Sequence, residues 1–193
     1  MNIAHIEEIS YIYGPGTRFV IWVQGCSIHC KGCWNREMWS FEKRSEYTIK
    51  ELLNMIKLQG NAIEGVTILG GEPLDQFCEV HALCLECQHI GLSTMVFTGY
   101  ELFEIDNSEK SKIKSVTDIL IVGRYDESKR TLYNQWIGST NQQVLFLTKR
   151  YNNNIKNKNY VEVNIDENGA LTLLGFPTKE LRACLTGNQR STL

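Results

Sequence analysis

The chain has 193 residues, 42% of them hydrophobic and 22% charged, and its formal net charge is −2. These values are typical of a soluble globular chain of about one domain, and the nearly neutral charge gives no reason to expect nucleic acid or an anionic membrane as a partner. Seven cysteines, an odd number with three of them clustered, do not fit a secreted disulfide framework, and no apolar run approaches the roughly 20 residues that span a bilayer. We therefore expect a cytoplasmic protein.

The first 24 residues predict two strands joined by a turn. Apolar residues recur through 2–13, where acidic side chains do not fit a signal peptide, and the Gly-Pro-Gly sequence at 14–16 is typical of a turn. Residues 17–24 (TRFVIWVQ) are apolar, β-branched and aromatic, which favours a buried strand. The loop after this strand is of interest because active loops leave the carboxyl ends of strands in α/β sheets.

Three cysteines follow at C-x3-C-x2-C spacing, Cys26, Cys30 and Cys33. One short loop can turn three such sulfurs inward, and soft thiolates select zinc, copper(I) or iron–sulfur clusters. A structural zinc site takes about four protein ligands, but no fourth cysteine or histidine follows at a suitable spacing, and His29 is expected to point away. We therefore predict an iron–sulfur cluster with one iron open to a substrate; the alternative is three structural or reactive thiols.

A helix and a glycine-rich turn come next. Residues 48–58 have apolar side chains at helical spacing, with Thr48 as N-cap and Glu51 completing a capping box. Residues 65–73 (GVTILGGEP) then predict a short buried strand that runs into paired glycines. Such glycines let a ligand approach bare backbone, and Glu72 offers an acceptor to a cationic amine. The alternative is a tight turn that happens to contain glycines.

The central part of the chain alternates between helix and strand. We predict a helix over 75–90, a strand over 95–97, a helical or irregular stretch over 101–114 and a buried strand over 118–122. Together with the earlier elements, this alternation predicts an α/β fold with a parallel sheet or part of a barrel.

Four further cysteines are expected to be inert. Cys78, Cys84 and Cys87 have a spacing that suggests a second cluster, but they lie within a predicted helix. Free cysteine behaves as a small hydrophobic residue, so we expect these three, and also Cys184, to be packing residues or half-buried thiols.

The C-terminal segment predicts an appended unit. Residues 151–158 are rich in Asn and Lys and suggest a linker, and strands over 160–165 and 170–175 flank a turn sequence, which favours a β-hairpin. A short helix over 179–185 and a frayed end complete the chain. We therefore divide it into a core, 1–150, and an extension, 151–193.

Several motifs in sequence order resemble the radical SAM superfamily and, more closely, the family of activating proteins of anaerobic ribonucleoside-triphosphate reductases. They are Gly14-Pro15-Gly16-Thr17-Arg18, Gly25-Cys26, Lys31-Gly32-Cys33-Trp34-Asn35, Gly70-Gly71-Glu72-Pro73-Leu74, Phe97-Thr98-Gly99-Tyr100 and Trp136-Ile137-Gly138-Ser139-Thr140-Asn141-Gln142. Gly32 before the third cysteine agrees with these activases, whereas Val122-Gly123-Arg124-Tyr125 replaces a segment where they tend to have an acid. The segment after about residue 149 has no recognised counterpart.

The resemblance implies a fold and a site. The fold would be a partial (β/α) barrel with a mostly parallel sheet, followed by the hairpin and short helix. Cys26, Cys30 and Cys33 would hold three irons of a [4Fe–4S] cluster, and S-adenosylmethionine would chelate the fourth, with no catalytic residue beyond the cluster. The residues implied to contact this cofactor are Gly32, Cys33, Trp34, Gly70, Gly71, Glu72, Pro73, Thr98 and Tyr100.

The resemblance also implies an activity. Reductive cleavage of S-adenosylmethionine would yield a 5′-deoxyadenosyl radical, which would generate a glycyl radical on a partner such as anaerobic ribonucleotide reductase. A flavodoxin- or ferredoxin-type protein would supply the electron. Residues 136–142 would close the site or contact the partner; the alternative for this segment is a turn in the core. The alternatives are a small radical SAM synthase or modifying enzyme acting on a small molecule or peptide, and an electron carrier, which would not need the motif at 70–73.

Overall fold

A computed structural model describes residues 1–151 and 158–186 of the chain. Most of the predicted linker and the predicted frayed end therefore lie outside the described residues. The strands are β1 (Asn2–Ser10), β2 (Arg18–Val23), β3 (Ser45–Glu46), β4 (Gly65–Gly70), β5 (Ser93–Phe97), β6 (Ile119–Val122), β7 (Gln143–Phe146), β8 (Val161–Ile165) and β9 (Leu171–Gly175). The α-helices are α1 (Ile49–Leu58), α2 (Phe77–His89), α3 (Leu102–Asp106) and α4 (Lys179–Thr186).

Seven of the strands form one sheet in the order β3-β1-β2-β4-β5-β6-β7. The four central strands, β2, β4, β5 and β6, are mutually parallel, whereas β1, β3 and β7 pair antiparallel at the edges. Strands β8 and β9 form a separate antiparallel hairpin. The predicted α/β fold, with a mostly parallel sheet and a C-terminal hairpin, is confirmed at this level.

The two faces of the sheet have different covers. Side chains alternate along a strand, so Phe19, Ile21 and Val23 of β2 lie in the cluster that α1 and α2 cover. Trp22 points to the opposite face, where it shares a cluster with Leu174 of the hairpin. On that second face the extension therefore contributes to the core of the sheet.

A buried arginine connects the amino ends of the parallel strands. The side chain of Arg18 is fully buried; it donates from Nε to Thr67 Oγ1 at 3.0 Å and from Nη2 to the carbonyl oxygen of Val66 at 2.6 Å, and its Nη1 donates to Ser93 Oγ. Burial lowers the pKa of Arg18 to about 10, so the guanidinium stays charged at neutral pH. It joins β2, β4 and β5 at the end of the sheet away from the cysteine loop.

The expectation of packed or half-buried thiols is confirmed for Cys84 and Cys87 and is wrong for Cys78 and Cys184. Cys84 and Cys87 are buried in the core beneath the sheet, whereas Cys78 is exposed, as is Cys184 in α4. No helix among the described residues is long and apolar enough to cross a membrane.

Candidate active site

The carboxyl ends of the four parallel strands meet around one cavity. The loop after β2 brings Cys26 to it, β4 leads to Glu72, β5 leads to Thr98, and β6 leads to Gly123. This is the end of a parallel sheet at which ligands bind in α/β proteins. The predicted cysteine loop and the predicted glycine-rich turn therefore face the same space.

The cysteine loop is fixed by backbone hydrogen bonds. The amide of Gly25 donates to the carbonyl oxygen of Met38 at 2.9 Å, and the amide of Cys33 donates to the carbonyl oxygen of Cys30 at 3.1 Å. His29 has a positive φ of 52°, and its ring stacks on Trp39 with centroids 4.6 Å apart. The imidazole is thus directed to Trp39 and is not among the residues that line the cavity.

All three cysteines of this loop line the cavity. Burial raises the pKa of the Cys26 and Cys30 thiols. Hydrogen bonds from backbone amides, in the case of Cys30 from that of Tyr125, lower these pKa values and partly offset the effect of burial. A bound metal would favour the thiolate forms that these pockets disfavour. Because no three metal-ligating side chains converge on one point among the described residues, the fit to a cluster rests on the donor type and on the shared cavity.

The paired glycines are explained by contact between two backbones. The amide of Gly71 donates to the carbonyl oxygen of Val23 at 2.8 Å, and the amide of Glu72 donates to that of Gly25 at 2.8 Å. A Cβ on Gly71 would lie 2.1 Å from the carbonyl oxygen of Gly25, a distance that cannot be accommodated. The glycine-rich turn is therefore joined directly to the cysteine loop, a constraint that acts whether or not a ligand lies against the turn.

Glu72 is buried, with 1% of its surface exposed, and lies at the centre of a hydrogen-bond network. Its Oε1 accepts from the amide of Leu74 and from Thr98 Oγ1, both at 2.8 Å, and its Oε2 accepts from the amide of Gly99 at 2.8 Å. A carboxylate has about four acceptor positions, so one remains on Oε2. Burial raises the pKa of Glu72 to about 7 despite these three donors.

The other residues implied by the resemblance are divided between the cavity and its surroundings. Trp34 lines the cavity, and the guanidinium carbon of Arg130 lies 4.8 Å from the centre of one of its rings. Tyr100 is not a lining residue: its hydroxyl donates to Asp75 Oδ1 at 3.0 Å. Gly32 and Pro73 also lie outside the set of lining residues.

Asp75 is a residue that sequence reasoning missed. Its Oδ2 accepts from the backbone amide of Ser27 at 2.6 Å, and its Oδ1 accepts from the hydroxyl of Ser27 at 2.9 Å. Because Tyr100 bonds to the same carboxylate, Asp75 connects the cysteine loop to the segments after β4 and β5. The acid follows the Gly-Gly-Glu-Pro motif by two residues, which was the available signal.

Residues 136–142 lie along one side of the cavity. Trp136, Gly138 and Gln142 line it. Gln142 Oε1 accepts from the amide of Gly138 at 2.9 Å, and its Nε2 donates to the carbonyl oxygen of Gly123 at 3.0 Å. The segment is thereby fastened to the end of β6, and Trp136 and Ile137 also pack in a buried cluster with Met95 and Ile121; closure of the site by this segment stays a prediction.

Comparison with known proteins decides between the classes that the sequence left open. Residues 12–145 match the family described as a 4Fe-4S single cluster domain. The proteins named anaerobic ribonucleoside-triphosphate reductase-activating protein from Haemophilus influenzae and Escherichia coli K12 are each 30% identical over 75% of this chain and 97% of their own length. The protein of the same name from Enterobacteria phage T4 is 31% identical over 75% of this chain and 93% of its own.

This chain belongs to the family of anaerobic ribonucleoside-triphosphate reductase-activating proteins. The predicted iron–sulfur cluster is confirmed by the family match, and the resemblance stated from the motifs is confirmed by the relatives. Among solved structures, QueE from Escherichia coli covers 50% of this chain and 51% of its own at 20% identity and a TM-score of 0.40, a likeness too distant to bear on this site.

The matches do not cover the whole of this chain. The relatives align over nearly their whole length but leave a quarter of this chain unmatched, and the family match ends at residue 145. Strands β8 and β9 and helix α4 lie beyond that point. Nevertheless, Asn159, Tyr160, Gly175 and Phe176 line the same cavity as the cysteines.

Proposed function

We propose that this chain is a radical SAM enzyme that generates a glycyl radical on an anaerobic ribonucleoside-triphosphate reductase. The observation that carries the proposal is the match to proteins named as activators of that reductase over 97% of their length. The geometry supports it, because the cysteine loop and the Gly-Gly-Glu-Pro turn line one cavity.

The chain's own residues supply the positions that the cofactors require. Cys26, Cys30 and Cys33 would hold three irons of a [4Fe–4S] cluster. The remaining acceptor position on Glu72 Oε2 would receive the ammonium group of S-adenosylmethionine, and Trp34 would lie beside its adenine. The same proposal includes contacts to S-adenosylmethionine from Gly32, Gly70, Gly71, Pro73, Thr98 and Tyr100.

The proposal also includes a partial (β/α) barrel, a domain boundary between 1–150 and 151–193, and a flavodoxin- or ferredoxin-type electron donor.

When bound, the cluster and S-adenosylmethionine would supply the reductive cleavage chemistry that, with an electron from an external donor, leads to hydrogen abstraction from a glycine of the partner. The protein's part is to orient the reacting groups and to exclude water. The segment fastened by Gln142 covers one side of the cavity, and the lining includes the apolar side chains of Ile28, Leu69 and Phe97. An apolar lining of this kind reduces the contact of a reactive intermediate with water.

A direct test uses electron paramagnetic resonance. The reconstituted chain, a cognate reductase, S-adenosylmethionine and a reductant are mixed without oxygen, and a glycine-centred doublet is expected. Cys30→Ala should abolish the signal and reduce the iron content, which is about four per chain in the unaltered protein. Cys78→Ala, a matched change of an exposed thiol, should alter neither.

Two outcomes would contradict the proposal. The first is a reductase that never gains the signal while a small molecule or peptide turns over with release of 5′-deoxyadenosine, which would favour a synthase. The second is loss of iron from the Cys78 variant, which would indicate that the cluster ligands have been assigned wrongly.

A further inference from the structure

The C-terminal hairpin, β8 and β9 with the residues next to them, forms one wall of the cavity. Asn159, Tyr160, Gly175 and Phe176 line it together with the three cysteines of the loop after β2. The family match ends at residue 145, so this wall lies outside the matched residues. A segment that lies outside the family match and yet lines the site is a candidate for setting specificity.

The hairpin is held firmly against the core. Leu174 is buried, with 5% of its surface exposed, in the cluster that contains Trp22. The amide of Gly175 donates to the hydroxyl of Tyr13 at 2.7 Å, and Ser10 Oγ donates to Glu162 Oε2 at 2.6 Å. These contacts connect the wall to β1 and to the turn that follows it, so its position relative to the cavity is determined by the fold.

The hairpin meets the opposite side of the cavity near Gly138. A Cβ placed on Gly138 would lie 3.3 Å from Cε1 of Phe176 and 3.1 Å from Cδ2 of Tyr125. Arg130, on the same side as Tyr125, donates from Nη2 to the carbonyl oxygen of Pro177 at 3.3 Å. Phe176 and Tyr125 therefore both border Gly138, and all three residues line the cavity.

Tyr160 lies at the rim of the same wall. It lines the cavity, but 43% of its surface is exposed. A side chain that lies partly in the site and partly in solvent can contact a substrate that enters from outside, whereas a fully enclosed side chain contacts a cofactor that is already bound. Tyrosine suits this position, since it provides a large rigid surface at a small cost in conformational entropy.

We propose that Tyr160 and Phe176 are specificity-determining residues that contact the glycine-bearing segment of the partner. The inference rests on the proposed function, because it takes the substrate to be a polypeptide. The bulky aromatic side chains of Tyr125, Tyr160 and Phe176 among the lining residues favour an extended segment of small residues, in which the absence of a Cβ at the reacting position lets the backbone enter. Cofactor binding depends instead on the cysteine loop and the Glu72 turn.

The experiment compares Tyr160→Ala and Phe176→Ala in the full-length, cluster-loaded chain. Glycyl-radical formation is measured against reductase concentration, and 5′-deoxyadenosine release is measured separately without reductase. We expect KM for the reductase to rise about fivefold or more, while kcat changes less. Glycyl-radical formation at low reductase concentration should therefore fall about fivefold more than 5′-deoxyadenosine release without reductase. Tyr160→Phe and Phe176→Leu, which keep most of the apolar contact, should recover most of the activity and show that the wall still folds.

The control is Ile165→Ala in β8, a residue with 68% of its surface exposed that does not line the cavity; it should behave as the unaltered chain. Equal losses in activation and in partner-free cleavage would overturn the proposal by indicating a role in the cofactor site. An unchanged KM would overturn it as well. An equal effect of Ile165→Ala would also overturn it, by indicating that the partner binds the outer face of the hairpin. If the unaltered chain itself gives no glycyl radical, the proposed function fails and this assignment fails with it.

Discussion

The carboxyl group of Glu72 has no cation paired with it among the described residues, and three hydrogen-bond donors do not fully offset its burial. Its pKa is raised to about 7 from the ordinary 4.5, chiefly by desolvation. The folded chain therefore keeps this proton over a pH range in which the unfolded chain has released it. Between these two values the free energy of unfolding should fall as pH rises, because the folded state binds more protons.

We predict that Glu72→Gln removes this pH dependence. In the unaltered chain the contribution should decline by on the order of 3 kcal/mol between about pH 4.5 and 7 and stay constant above that. The variant has no proton to lose, so the stability difference between the two chains should shrink or reverse over this range. Urea unfolding at several pH values measures it, and a difference that does not vary with pH would contradict the prediction.

Gly71 gives a second prediction at the scale of one residue. Its Cβ would lie 2.1 Å from a backbone oxygen of the cysteine loop, so Gly71→Ala must displace one backbone or the other. We expect a loss of about 2 kcal/mol or more in the free energy of unfolding, together with reduced iron loading, measured by denaturation and iron analysis.

Gly91→Ala is the matched control for this change. Gly91 has a positive φ of 85°, but a Cβ there would meet nothing within 4 Å, so the variant reports left-handed strain alone, about 1 kcal/mol, and should keep its iron. An equal effect of the two substitutions would show that contact with the cysteine loop is not what matters at Gly71.

At the scale of one element, helix α1 begins at a capping box. The amide of Glu51 donates to Thr48 Oγ1 at 3.2 Å, and the amide of Thr48 donates to Glu51 Oε2 at 2.7 Å. Thr48→Ala should lower the free energy of unfolding by about 1 kcal/mol, whereas Thr48→Ser keeps the hydroxyl and should cost much less. Thermal unfolding of the two variants checks this, and equal losses would rule out the hydroxyl as the cause.

Elements with a local signal were predicted and those decided by distant pairing were not. The helix at 48–58 was predicted because its cap and apolar spacing are contiguous in sequence, and the hairpin was predicted from its turn residues. Strand β7 (Gln143–Phe146) was missed because its four residues become a strand only by pairing antiparallel with β6. The same holds for β3, which has two residues and pairs with β1.

The same distinction between local and distant signals separates the site residues that were predicted from those that were not. The cysteines and the Gly-Gly-Glu-Pro turn were predicted because their chemistry and spacing lie within short stretches of sequence. Tyr160 and Phe176 could not be predicted as lining residues, since contacts between residues distant in sequence, such as the packing of Leu174 against Trp22, bring the hairpin to the cavity. Likewise, nothing local indicates that the hydroxyl of Tyr100 bonds to Asp75.

At the scale of the whole molecule, the two ends of the parallel strands differ in function. The carboxyl ends carry the site, whereas the amino ends are joined by Arg18, whose fork bonds to groups on β4 and β5. Arg18→Met would leave Thr67 Oγ1, Ser93 Oγ and the Val66 carbonyl without this donor, and we expect a loss of about 3 kcal/mol or more.

Arg18→Lys separates the charge from the fork. The lysine keeps a cation but not the planar set of donors that reaches three partners at once. The free energy of unfolding of this variant should therefore lie between those of the unaltered chain and Arg18→Met. Denaturation measures the order of the three, and iron loading of the folded fraction should not change in either variant. A lysine variant as stable as the unaltered chain would assign the effect to charge alone.

The docking of the hairpin also sets an order on folding. Strands β8 and β9 pair through a short turn, so the hairpin is a local structure, but the hydrogen bond from Gly175 to Tyr13 joins residues 162 positions apart. Contacts of long sequence separation close large loops and form late. Until that contact forms, the cavity that the cysteines line lacks the wall formed by the hairpin. This wall is thus among the last parts of the molecule to be completed, and we expect the cavity to be most open to solvent and oxidants before then.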